Sequence, residues 1–176
     1  MNNIRYLTKS RFKLALECET KLFYTNKKQY PDQLIEDTFL ESLAEGGFQV
    51  GELAKMYHPG GVEIPYGSYD DMVEETNRLL SRDKVIIYEA TIKYKTLLIR
   101  VDVLVKDGNN IDLIEVKAKS FDGIDADGFL NRSGSLNSTW KSYVYDVAFQ
   151  KLVLTKAFPQ FSVKSYLCLA DKNSNA

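Results

Sequence analysis

Residues 97–119 read LLIRVDVLVKDGNNIDLIEVKAK, and this stretch decides the fold. Its apolar residues recur at every second position on either side of Gly108-Asn109, a two-residue hairpin signal. The spacing predicts antiparallel strands over Leu97–Lys106 and Ile111–Lys119, with Asp107 opposite Asn110. Counting back from that turn sets Asp102 directly opposite Glu115, with Cβ atoms about 4.5–5.5 Å apart. Side chains alternate along a strand, so Arg100 and Asp102 leave one face while Ile99, Val101, Val103 and Val105 enter the core. Glu115 and Lys117 likewise share a face, with Ile114, Val116 and Ala118 on the other.

Outward from this hairpin, Val85–Tyr94 reads as the first strand of the same meander. A turn at Lys95-Thr96 would put Glu89 opposite Asp102 as well, although Lys-Thr is a poor two-residue turn. The first third is helical in pattern. Ser10 is a plausible N-cap for a helix over Arg11–Tyr24, and Asp32–Glu45 places Ile35, Phe39 and Leu43 at four-residue spacing before Gly46-Gly47 ends it. A short helix follows over Val50–Tyr57. His58-Pro59-Gly60-Gly61 then stops the pattern and leaves His58 in a loop mouth. Asp70–Ser81 is again helical, with Met72, Val73, Thr76, Leu79 and Leu80 on one side. After the meander, Ser120–Thr139 reads as a long loop of the kind that is often functional. A helix over Trp140–Phe158, closed by Pro159, and a strand over Phe161–Ala170 complete the chain. The order predicts one mixed α/β domain over residues 1–176, a three-stranded antiparallel meander flanked by helices after a helical N-terminal portion.

Composition narrows the function. With 176 residues and 44% hydrophobic content, the chain can build a real core. Its 23 Lys and Arg against 24 Asp and Glu leave a net charge of -1, so no general basic field draws it to nucleic acid or membrane. Any nucleic-acid contact is then local. Cys18 and Cys168 are too few for a disulfide scaffold, and the N-terminus lacks the apolar run of a signal peptide, which points to a reducing cytoplasm. The longest apolar stretch, Leu97–Val105, is broken by Arg100 and Asp102 and falls far short of a bilayer span of about 20 residues, which excludes a membrane protein.

The chemistry lies in the facing carboxylates. Asp102 and Glu115 repel each other unless a cation or a shared proton compensates them. A divalent ion is the simplest compensation, and a carboxylate site suits Mg²⁺ or Mn²⁺ with waters and substrate phosphate completing the shell. Lys117, on the Glu115 face, would then orient or deprotonate the attacking water, or neutralise charge on a phosphorane-like transition state. Glu-x-Lys alone means little, since Glu19-Thr20-Lys21 fits it too, and antiparallel sheets commonly keep one wet face. Asp102 at the facing register tips the balance toward a site. Gln150 sits on an apolar helical stripe with Tyr143, Val147 and Leu154, where an unpaired amide costs roughly 1–3 kcal/mol. It should have a partner, in the site or in the core backbone.

Asp102 followed by Glu115-Val116-Lys117 after a hairpin resembles the PD-(D/E)XK nuclease superfamily, and the surroundings resemble its RecB-like branch, which includes the CRISPR-associated exonucleases. Thr8-Lys9-Ser10-Arg11-Phe12, followed by Cys18, Lys21, Leu22 and Tyr24, is similar to the first helix of that branch. Val50-Gly51-Glu52-Leu53-Ala54 before His58 is similar to its segment ahead of a metal-binding histidine. The chain most closely resembles the nuclease-like N-terminal region of an uncharacterised bacterial protein family in the superfamily. The resemblance implies a restriction-endonuclease-like core in which His58, Asp102 and Glu115 bind Mg²⁺ or Mn²⁺. The carbonyl of Val116 would be a further ligand, Lys117 would act on water or phosphate, Glu89 would be a supporting acid, and Gln150 would be the glutamine that follows the active site.

Two departures matter. Leu154 stands where many relatives have a tyrosine four residues after the glutamine. An iron–sulfur cluster of the branch needs four thiolates and this sequence has two, so none is expected unless the chain is a piece of a longer one. The expectation is a metal-dependent deoxyribonuclease, an exonuclease on DNA ends or single strands. The alternatives are a non-catalytic nucleic-acid-binding or assembly module that keeps the fold, and a hydrolase of small phosphoesters. Lys9, Arg11, Lys13, Lys21, Lys27 and Lys28 form a locally basic stretch suited either to phosphate or to solvent. Tyr6, Phe12, Tyr24 and Tyr30 interleave with it and would stack bases or join the core.

Overall fold

The computed structural model describes residues 5–25, 27, 29, 30, 38–121 and 128–173, the stretch 38–46 by its backbone alone. The meander is present. β3 (Lys84–Tyr94), β4 (Leu97–Asp107) and β5 (Asn110–Phe121) run antiparallel, with Asp107 opposite Asn110 and Tyr94 opposite Leu97. Lys95 makes the weak turn possible by adopting a left-handed φ of 54°. Two strands that no period announces join them. β1 (Leu7–Thr8) pairs parallel with Leu97 and Leu98 of β4, and β2 (Val62–Glu63) pairs parallel with β3. β6 (Ser162–Asp171) pairs parallel with β5, which completes a mixed six-stranded sheet in an α/β fold.

The helices differ from expectation at their ends. Thr8, not Ser10, caps α1 (Lys9–Glu17), its Oγ1 accepting from the Arg11 N–H at 3.4 Å. The backbone turns extended at Cys18 before α2 (Glu19–Tyr24). Gly46-Gly47 does not stop the second helix: α3 (Thr38–Tyr57) runs through it in one piece, and residues 32–37 of the expected helix lie outside the described residues. Glycine inside a helix costs about 1 kcal/mol but ends one only by turning left-handed, which Gly47 and Gly51 do not do. Val50 and Ala54 dock this helix on the sheet. α4 (Tyr69–Leu80) starts at Ser68, whose Oγ accepts from the Asp71 N–H, and buries Met72, Thr76, Leu79 and Leu80. α5 (Ser138–Ala157) begins under Asn137. β5 reaches Phe121 and Leu130 bridges Leu136, so less of the expected loop is irregular; 122–127 lie outside the described residues.

Two cores flank the sheet. The larger joins Ile87, Ala90, Ile92, Ile99, Val101, Leu104, Ile111 and Leu113 to Leu79 of α4 and to Phe149, Val153 and Leu154 of α5. The smaller joins Ala54 of α3 to Tyr88, Val103, Ile114 and Val116. Val103 and Val105 therefore do not follow Ile99 and Val101 as strict alternation predicts; they pack with the second core. The change of face falls at Asp102, and β3 makes the same change at Glu89, a non-glycine residue at φ 59°. Glu89 and Asp102 are the one facing pair missing from an otherwise continuous ladder. Nearby, Gly61 lies against the ring of Tyr88 so closely that any Cβ would collide with it. The Tyr88 hydroxyl accepts from the Gly61 N–H at 3.2 Å and donates to the carbonyls of Lys55 and His58, which satisfies the C-terminus of α3.

Candidate active site

Four segments distant in sequence meet at one point: the start of α1 and the middles of β4, β5 and α5. The β4–β5 ladder ends at Val103 opposite Ile114, one step before Asp102 and Glu115. There the Asp102 side chain takes over, its Oδ2 accepting from the Val116 N–H at 2.7 Å. Asp102 and Glu115 converge on one cation. The Lys9 ammonium lies 3.0 Å from each carboxylate oxygen of Glu115 and 3.4 Å from Asp102 Oδ1. Lys117 pairs with Glu115 Oε1 and stands 3.4 Å from Asp146 Oδ2. Gln150 Nε2 donates to Glu115 Oε2 at 2.6 Å and to Asp146 Oδ1 at 3.2 Å. Lys13, one turn beyond Lys9, comes within 3.7 Å of Asp146. Phe12 fixes this edge of α1 by stacking on Phe149 of α5 with centroids 4.4 Å apart.

The three acids are not equivalent. Glu115 is fully buried; burial alone would raise its pKa, but Lys9, Lys117 and the Gln150 N–H outweigh that and hold it down at about 2. Asp102 is raised to about 6, chiefly by burial, with Glu115 adding repulsion against the opposing pull of Lys9. Burial and Glu115 likewise raise Asp146. Lys9 goes up: the attraction of Glu115, Asp102 and Asp146 overcomes a burial that by itself would lower it.

Asp102 therefore binds its proton more tightly in the fold than in the unfolded chain, where 3.8 is usual, so stability falls as pH rises from about 4 to about 6. Asp102→Asn is expected to stabilise the chain in EDTA at neutral pH by about 1–3 kcal/mol, a range that allows for partial exposure. The gain should shrink to nothing on acidification to about pH 4. Urea melts at several pH values measure it, and a variant no more stable than wild type at pH 7 would show that Asp102 carries no such strain.

Two cavities share Glu89 and Asp102 as a common wall. One, of ≈ 310 Å³, is lined by Lys9, Tyr66, Tyr69 and Arg100; the other, of ≈ 210 Å³, by Phe48, Glu52, Lys55 and Lys117. Arg100 Nε is 2.9 Å from Glu89 Oε2, so Glu89 faces the site but is held by an ion pair. Val116 lines the second cavity, and its N–H is the group seen to act, on Asp102.

His58 is not brought in. Its carbonyl is held by Tyr88, its half-buried ring makes no hydrogen bond or ion pair among the described residues, and it lines neither cavity. Glu52 and Lys55, earlier on α3, line the second cavity, while His58 sits in the loop that follows the helix end at Tyr57. Among the described residues no three His, Cys, Asp or Glu side chains gather as a ligand set. Asp102 and Glu115 nevertheless share a cation, and Asp146 Oδ2 behind them is buried without a hydrogen bond. Two carboxylates with waters are donors that Mg²⁺ or Mn²⁺ accepts when substrate phosphate completes the shell, so the residues fit such an ion.

Sequence reasoning missed Lys9, Lys13 and Asp146 as members of this cluster. Asp146 precedes Gln150 by four residues on one helix face, and Lys9 precedes Lys13 by the same interval, which is the signal that was available. Most of the basic stretch is engaged within the protein: Arg11 donates to the Tyr6 carbonyl, Lys21 pairs with Glu17, and Lys27 lies over the Phe23 ring, while Lys28 is outside the described residues. Tyr6 and Phe12 are packed, whereas Tyr24 and Tyr30 are exposed and touch each other edge to face. Among the described residues no helix is long and apolar enough to cross a membrane. Compared with known proteins, the chain matches no family model, no curated protein and no solved structure.

Proposed function

We propose that the chain is a cytoplasmic Mg²⁺- or Mn²⁺-dependent deoxyribonuclease with a PD-(D/E)XK core of the RecB-like type, acting on DNA ends or single strands. One observation carries this reading: Asp102 and Glu115, on adjacent antiparallel strands, converge on one point, occupied by the Lys9 ammonium, with Lys117 on the same carboxylate. The surroundings support it. Arg100 and Lys55 line the cavities on either side of the acids, Arg100 paired with Glu89 and Lys55 with Glu52 and Glu63, and Tyr66 and Phe48, 82% and 70% exposed, offer faces on which bases stack.

A bound divalent ion supplies Lewis-acid polarisation of the phosphate and a more acidic water. Asp102 and Glu115 would hold it. Lys117 keeps its ammonium at the edge of the site, where it neutralises charge growing on the phosphate oxygens. Gln150 fixes the Glu115 carboxylate, and Asp146 holds Lys117 from behind. Arg100 and Lys55 would bind flanking phosphates by exchanging their present carboxylate partners, Glu89 for Arg100 and Glu52 and Glu63 for Lys55.

Incubation with end-labelled single- and double-stranded DNA tests the reading. Cleavage is expected with Mn²⁺ at least as fast as with Mg²⁺, and none with EDTA or Ca²⁺. Cleavage undiminished by EDTA would overturn it. A second reading, a nucleic-acid-binding module without catalysis, is favoured by the charge balance among Lys9, Lys13, Lys117 and the three acids. It predicts DNA binding without cleavage under every metal condition.

A further inference from the structure

We propose that Lys9 is the built-in counter-cation of this centre and that a divalent ion enters only by displacing it. The inference rests on the metal-dependent reading above and adds a residue to it. The Lys9 ammonium has four oxygens around it: both of Glu115 at 3.0 Å, Asp102 Oδ1 at 3.4 Å and the Arg100 carbonyl at 3.5 Å. These distances exceed the roughly 2.7–2.9 Å of a strong charged hydrogen bond, as expected of a cation shared among acceptors from two strands. A metal bound to the same oxygens sits about 2.0–2.1 Å from each, in the space the ammonium fills. Steric overlap and like charge make the two mutually exclusive.

Lys9 is also able to leave. It is the first residue of α1, held by a two-residue strand, and its flexible stem borders the ≈ 310 Å³ cavity that contains Arg100 and Tyr66. Swung into that cavity, its ammonium joins the Arg100 guanidinium as a second cation for a substrate phosphate. Lys13 has no such role, because it reaches Asp146 alone, at 3.7 Å.

Calorimetric titration of the full chain with MnCl₂ at neutral pH tests the displacement. Lys9→Met and Lys9→Gln should bind Mn²⁺ at least about tenfold tighter than wild type, since the competent state no longer has to be vacated. Lys13→Met, which removes an equal charge nearby, should change the affinity by less than about threefold. If wild type binds and the Lys9 variants bind equally or more weakly, or if Lys13→Met gains as much, the displacement is refuted while the metal site stands. If neither wild type nor any variant binds, the metal reading itself falls and takes this inference with it. Acetylation followed by peptide mass spectrometry settles the matter on wild type even if the variants do not fold. The Lys9 amine should react at least about threefold faster with Mn²⁺ saturating, because in place its ammonium is engaged by four oxygens and, displaced, it is not. An unchanged or slower reaction overturns the proposal.

Discussion

Glu115→Ala is expected to lower the stability of the chain by about 3–5 kcal/mol, the cost of breaking a buried ion pair from one side. Glu115 is fully buried and receives Lys9, Lys117 and Gln150. Without it, Lys9 keeps Asp102 and the Arg100 carbonyl, Lys117 and Gln150 keep Asp146, and a void opens beneath α5. For a chain of this size the melting temperature falls by roughly 10–15 °C. The pH dependence has a definite sign. The Glu115 pKa is depressed in the fold, so its contribution is present above the ordinary 4.5 and lost as pH falls toward about 2. The deficit of the variant should narrow over that interval. Thermal melts followed by circular dichroism measure both effects, and a loss below about 1 kcal/mol at neutral pH would mean that water relaxes the cluster.

On the nuclease function proposed above, Lys117→Met should slow DNA cleavage by about 10²- to 10³-fold, the loss seen when one preorganised charge-stabilising group is removed. Metal affinity should not weaken, because Lys117 contributes a positive charge and no ligand atom. Folding is less indifferent than a solvated strand face would suggest, since Lys117 is tied to Glu115 and Asp146. The variant therefore needs a melt alongside its Mn²⁺ titration and nuclease assay. Cleavage within about tenfold of wild type would remove Lys117 from the chemistry.

The hairpin was legible because its information is local. Gly108-Asn109 and alternating apolar residues determine which residues face which, and the ladder from Asp107 to Val103 follows. Gln150 was legible as an amide in need of a partner, and that partner is Glu115. What stayed hidden depends on distant parts of the chain. Nothing in the sequence says that Lys9 meets β4, because β1 pairs over only two residues and shows no period. The change of face at Asp102 was equally invisible. It depends on Glu89 adopting a left-handed backbone, a conformation that local propensity does not assign to glutamate. Gly46-Gly47 reads as a stop, but packing of Val50 and Ala54 on the sheet carries α3 through it; the helix still ends at Tyr57, so His58 stands in the loop its sequence gives it, and local sequence does not tell which side chains that loop meets.

The shared edge of β4 has a consequence for which insertions the chain tolerates. Leu97 and Leu98 pair with β1, and Val103 to Asp107 pair with β5, so Asp102 sits at the fork between two partners. An extra residue in the turn at Gly108 would slide β5 by one position and turn each of its side chains to the opposite face. Leu113 and Ile111 would leave the larger core in the same step that carried Glu115 away from Asp102. The acid pair and the hydrophobic core thus read off one register. Lengthening is tolerated in an exposed loop tip such as 131–135, where added residues shift neither strand. A drift in the two-residue turn thus costs stability in the same step that separates the acid pair.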